Sequence, residues 1–143
     1  MEGNGERNSF KDFFAKFFSK NKSKAEEYLN DQEKAKELLG NASKKAEANK
    51  GPIDGIFETI QLVFSLIKDY SIGRYKVIPY KSILLLVVAI IYFVSPIDAI
   101  FDVIPILGLI DDAAVLGFVF LQLKSDLDCY KEWKTTTQQD SGM

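Results

Sequence analysis

The chain has 143 residues, 47% of them hydrophobic, with 18 Lys and Arg against 20 Asp and Glu and a formal net charge of −2. That length suits one domain with a modest core, and the charge balance excludes a uniformly basic nucleic-acid binder. The absence of histidine removes the commonest metal ligand and the usual general base near neutral pH, and the single cysteine, Cys129, excludes an intrachain disulfide and agrees with a reducing compartment.

The first ten residues, MEGNGERNSF, have no apolar run and are not a secretory signal. Residues 1–8 read as polar and disordered, and Ser9 with Asp12 predicts the start of a short helix. Phe10, Phe13, Phe14, Phe17 and Phe18 fall at helical spacing on one face. Lysines flank that face, so the helix suits either a membrane interface or packing on the rest of the chain. Ser23 with Glu26 predicts a capping box for a second helix, running to about Leu39 and stopping at Gly40, with a further helical stretch over 43–50. Tyr28, Leu29, Ala35, Leu38, Leu39, Ala42 and Ala46 give it a thin apolar stripe, and the alternating Lys and Glu read as a solvated face.

Gly51-Pro52 marks a break. A third helix follows over about Ile53–Tyr70, with Ile56, Phe57, Ile60, Val63, Phe64, Ile67 and Tyr70 on one face. Ser71-Ile72-Gly73 ends it. Residues 74–81, RYKVIPYK, place three cations and two tyrosines beside an apolar helix. They suit an interfacial collar or a solvated loop.

The rest of the chain is organised around residues 82–123. This segment has no Lys, Arg or Glu but holds Asp98, Asp102, Asp111 and Asp112 between the apolar runs Ile83–Val94 and Ala113–Leu121. The first run predicts a helix from Pro79 or Tyr80 to Val94, buried all round. Ser95 and Pro96 then start a short turn, Pro105 stops it and Gly108 permits a reversal. Asp111 and Asp112 begin the last helix, which runs at least to Cys129 or to Trp133. Thr135–Met143 reads as a disordered tail.

The pattern Ser95-Pro96-Ile97-Asp98, Asp102-Val103-Ile104-Pro105 and Leu107-Gly108-Leu109-Ile110-Asp111-Asp112, with Tyr92 before it, resembles the signature of the YkvA family, a domain of unknown function known as DUF1232. It departs from that signature at Phe101, where the family has proline. The resemblance extends over about residues 25–133. It implies a small helical, membrane-associated protein and supplies no established activity, so no catalytic residue is carried over.

The aspartates admit three readings. Structurally, Asp98, Asp111 and Asp112 cap helix starts. Alternatively, Asp98, Asp102, Asp111 and Asp112 gather a hard divalent cation, because clustered carboxylates suit Mg²⁺ or Ca²⁺. Acid–base chemistry ranks third, because the segment offers no other polar partner between Ile97 and Asp111. Four unpaired aspartates at mid-bilayer would cost roughly 10–14 kcal/mol at about 2.5–3.5 each, more than the apolar runs return. The acidic turn therefore sits either at the far interface of a membrane hairpin or at the surface of a soluble or interfacial bundle.

The sequence thus predicts an all-α domain of four to five helices with a hydrophobic helical hairpin around the Ser-Pro and Asp-Asp turn. Residues 1–22 form an N-terminal tail with the Phe-rich helix, 23–134 the helical domain, and 135–143 the tail. The expected role is interaction or regulation at the cytoplasmic face of the membrane, without catalysis or cofactor, with both termini cytoplasmic and with the hairpin helices crossing or dipping into the bilayer. The alternative is a soluble or peripheral helical module that binds a divalent cation.

Overall fold

Asp31 interrupts what would otherwise be one long polar helix. Its Oδ1 accepts the backbone N–H groups of Glu33 at 3.0 Å and Lys34 at 3.2 Å, two of the donors a helix start leaves unpaired. In the computed structural model, which describes residues 2–48, 54–94 and 112–141, this cap separates α1 (Glu2–Asn30) from α2 (Gln32–Ala48). A 3₁₀ turn (Asp54–Ile56) leads into α3 (Phe57–Ser71), followed by α4 (Tyr80–Val94), α5 (Asp112–Gln122) and α6 (Lys124–Ser141). The described residues contain no strand, and the protein is all-α.

Helix boundaries in the N-terminal half differ from the predicted ones. Helix α1 begins at Glu2 and runs unbroken through Ser9 and Ser23, neither of which caps a helix. The reason is packing: Phe17, Ala25 and Leu29 are all buried on one face, and a break at Ser23 would put them out of register. Gly40 does not stop α2 either. It sits exposed in mid-helix, where the apolar positions Ala35, Leu38, Ala42 and Ala46 continue through it on the buried face. At the other end α6 extends to Ser141, past the predicted boundary near Trp133. Thr135 is accommodated there because its Oγ1 donates to the Lys131 carbonyl at 3.0 Å.

The predicted single last helix is divided at Leu123, whose N–H donates to both Val119 O (3.1 Å) and Phe120 O (3.2 Å). The ladder resumes with Leu127 N–H on Leu123 O at 3.0 Å. Leu123 thus ends one ladder through its N–H and begins the next through its carbonyl.

Helix α4 is the centre of the bundle. Ile83, Leu84 and every residue from Leu86 to Phe93 are buried, and the helix packs against α1, α2, α3 and α5. Its apolar surface is thus covered by the chain's own helices. The expectation that the hairpin helices cross or dip into the bilayer finds no support in α4. Fifteen residues rise only about 22 Å, against ~30 Å of hydrocarbon. Among the described residues no helix is long and apolar enough to cross a membrane. Helices α4 and α5 do pack together, while the turn that joins them lies outside the described residues.

Side-chain contacts set the directions. Tyr80 at the start of α4 meets Glu26, and Tyr92 near its end meets Phe17 edge-on at 5.5 Å, so α1 runs antiparallel to α4. Lys45 of α2 donates to the Phe93 carbonyl at 2.5 Å and lies 5.1 Å above the Phe93 ring. A cation there meets the negative end of the α4 dipole.

Candidate functional site

The best-defined functional surface is the loop that joins α3 to α4. It begins with a glycine C-cap. Gly73 has φ +85°, a conformation that side chains with a Cβ avoid. The turn lets Gly73 N–H donate to Tyr70 O at 3.1 Å and Arg74 N–H to Asp69 O at 2.8 Å, satisfying the last carbonyls of α3. Tyr75 N–H adds a third bond, to Asp69 O at 3.2 Å.

Asp69 holds the loop a second way. It is a buried carboxylate, and Tyr130 Oη donates to its Oδ2 at 2.5 Å. Tyr130 is fully buried, and Tyr75 and Trp133 pack on it with ring centroids 5.0 and 5.7 Å away. Lys134 of α6 reaches the Ser65 hydroxyl of α3 beside them. Burial, then the bond to Asp69, pushes the Tyr130 phenol well above its ordinary pKa. Burial also raises Tyr75, with smaller contributions from Cys129 and Asp126. Asp69 and Tyr130 satisfy each other, as buried polar groups must.

From that base the loop alternates. Tyr75 and Ile78 turn inward and are buried, while Lys76 and Val77 turn out. Val77 is 80% exposed, with Ile72 and Tyr80 about half as exposed on either side of it in the chain. Arg74, Lys76 and Lys81 are also exposed, and the Lys76 ammonium lies 4.0 Å above the Tyr70 ring. Tyr80 Oη donates to Glu26 at 3.1 Å, and its pKa is raised by burial and by that carboxylate.

The predicted collar of 74–81 is therefore half right in composition. Its three cations face out, but Tyr75 belongs to the interior, and Val77 takes the outward place expected of it. Sequence reasoning missed Asp69 and Tyr130 altogether. A signal was present: Asp69 follows Leu62 and Leu66 at i+7 and i+3, and Tyr130 follows Leu123 and Leu127 at the same spacings.

The predicted signature residues Ser95, Pro96, Asp98, Asp102, Pro105, Gly108 and Asp111 lie outside the described residues. Asp112 opens α5. The four aspartates proposed as cation ligands are therefore neither brought together nor separated by the described structure. Among the described residues no group of three or more Cys, Asp or Glu side chains is placed to hold a metal ion. A groove of about 580 Å³ runs between α2 and α3, lined by Gly40, Ser43, Glu58, Gln61, Ser65 and Lys134 among others, but neither Asp69 nor Tyr130 lines it.

The architecture defines a small helical bundle with a central helix buried from Leu86 to Phe93 and a cationic, apolar-tipped loop at one end. The chain belongs to the DUF1232 family, described as a protein of unknown function, whose sequence profile matches residues 82–118. It is similar to the uncharacterized membrane protein YkvA of Bacillus subtilis (strain 168), with 39% identity over 97 residues, covering 68% of this chain and 92% of that protein. No solved structure matches it.

Proposed function

We propose that this chain is a peripheral membrane protein that works by binding at the cytoplasmic face, with both termini on that side, rather than by catalysis. The observation that carries this reading is the enclosure of α4. The most apolar helix spends its surface on α1, α2, α3 and α5, so contact with a bilayer falls to surface elements. The similarity to a protein named for its membrane association supports the location. A binding role is supported by the absence of histidine from the sequence and by the mutual engagement of Asp69 and Tyr130, neither of which lines the groove.

Membrane fractionation tests this directly. The expressed protein is expected to sediment with membranes and to be released by an alkaline carbonate wash. Release by detergent alone would mean that the apolar segment is inserted, and recovery wholly in the cytosolic fraction would remove the membrane reading.

A further inference from the structure

Which surface meets the membrane can be argued from the loop itself. We propose that residues 72–81 form the bilayer contact, with Val77 and Ile72 entering the headgroup layer and Arg74, Lys76 and Lys81 binding anionic lipid headgroups. This rests on the membrane reading above and goes further by naming the element and the lipid class.

Four observations converge on the loop. It carries three cations and no acidic residue between Ile72 and Lys81. Of the large apolar residues exposed among those described, all but Leu121 lie in it or at its edge: Ile72, Val77 and Tyr80. Its backbone is fixed by the glycine C-cap and by the inward anchors Tyr75 and Ile78, so Val77 is held out without an ordering cost at the moment of contact. The carboxylate that meets its far end is engaged, Glu26 accepting the Tyr80 hydroxyl, and Asp126 lies half-buried near Tyr75.

Size decides between a lipid and a protein partner. A stable protein interface buries about 800 Å² on each side and needs a contiguous apolar centre. Isolated apolar tips set among long cationic side chains fall short of that. They match what an anionic bilayer accepts, where a few inserted side chains and a few cations suffice. A cation near such a surface changes partitioning roughly fivefold.

The test is sedimentation of the full chain with vesicles of phosphatidylcholine alone, or of phosphatidylcholine containing phosphatidylserine. Wild type is expected to bind the anionic vesicles more tightly, with binding that weakens as salt rises. The double variant K76A/K81A is expected to bind roughly twenty-five-fold more weakly, by the fivefold factor taken twice. Val77→Asp is expected to lose at least tenfold. Lys44→Ala, on the exposed face of α2, is the control and should bind as wild type; circular dichroism and Trp133 fluorescence establish that each variant is folded.

Loop variants that sediment like wild type would overturn this assignment while leaving the membrane reading intact. Equal, salt-insensitive binding to both vesicle types would overturn the anionic-lipid claim. A wild-type chain that binds neither vesicle would overturn the contact proposed here, and if the expressed protein also stays in the cytosolic fraction, the membrane reading fails with it.

Discussion

Tyr130 Oη lies 2.5 Å from Asp69 Oδ2, joining α6 to α3 across 61 residues of sequence. The same Asp69 accepts the loop's backbone N–H groups through its carbonyl, so one residue ties the C-terminal helix and the α3–α4 loop together. Removing the phenol leaves a buried carboxylate short of a donor, which costs about 1–3 kcal/mol. Tyr130→Phe is therefore expected to lower the melting temperature by several degrees. The double change Tyr130→Phe with Asp69→Leu should cost less than the two single changes added, because the orphaned charge goes too. Additive costs from thermal melts would mean that the pair is not coupled.

The same pair makes the fold sensitive to alkali. The folded Tyr130 pKa is raised above the unfolded value of about 10, so its contribution to stability is fully present below that value. Above pH 10 the unfolded chain releases the proton more readily, and stability falls as pH climbs toward the folded pKa. Tyr75 and Tyr80 are shifted in the same direction and add to the decline. Chemical unfolding measured from pH 8 to 11 should show a loss that is shallower in Tyr130→Phe. Parallel pH profiles for wild type and variant would contradict this.

Two glycines should respond oppositely to substitution. Gly73 has φ +85°, so Gly73→Val strains the backbone by about 1–2 kcal/mol and disturbs the C-cap that orders the loop. Gly40 lies in the middle of α2 with nothing within 4 Å of where a Cβ would sit. Gly40→Ala is expected to stabilise by about 0.5–1 kcal/mol through helix propensity. Urea midpoints of the two variants should fall on opposite sides of wild type.

Asp31→Ala removes both side-chain bonds at the start of α2 and is expected to cost about 1 kcal/mol, whereas Asp31→Ser, which keeps an acceptor, should cost a few tenths. Equal melts for Asp31→Ala and Asp31→Ser would show that the cap does not hold α2.

What could be seen in the sequence follows from periodicity. The apolar faces of α2 and α3, the all-round burial of α4, its start at Pro79 or Tyr80 and the stop at Gly73 each follow from spacing or from one residue's backbone preference. What escaped was non-local or aperiodic. Ser23 looks like a cap in sequence, yet the buried register of Phe17, Ala25 and Leu29 carries α1 past it, and the cap falls at Asp31. Tyr75 turns inward, against the expected collar, because a loop has no repeat from which to read orientation. Asp69 and Tyr130 each lie in line with leucines, yet nothing local reveals that they meet. The aspartate signature was the most specific motif in the chain, and it lies outside the described residues.

The central position of α4 also has a consequence for the order in which the protein is made. Helices α1, α2 and α3 leave the ribosome first, and the helix that α1 and α2 pack against most, α4, has not yet been synthesised. Until residues 80–94 emerge, these helices can only associate loosely with one another, and when α4 does emerge it is briefly the most lipid-like segment of the nascent chain. Three of the helices that enclose it are by then already made, and only α5 is still to come. The timing of translation through this region thus bears on how long the apolar surface of α4 stays open before α5 closes over it.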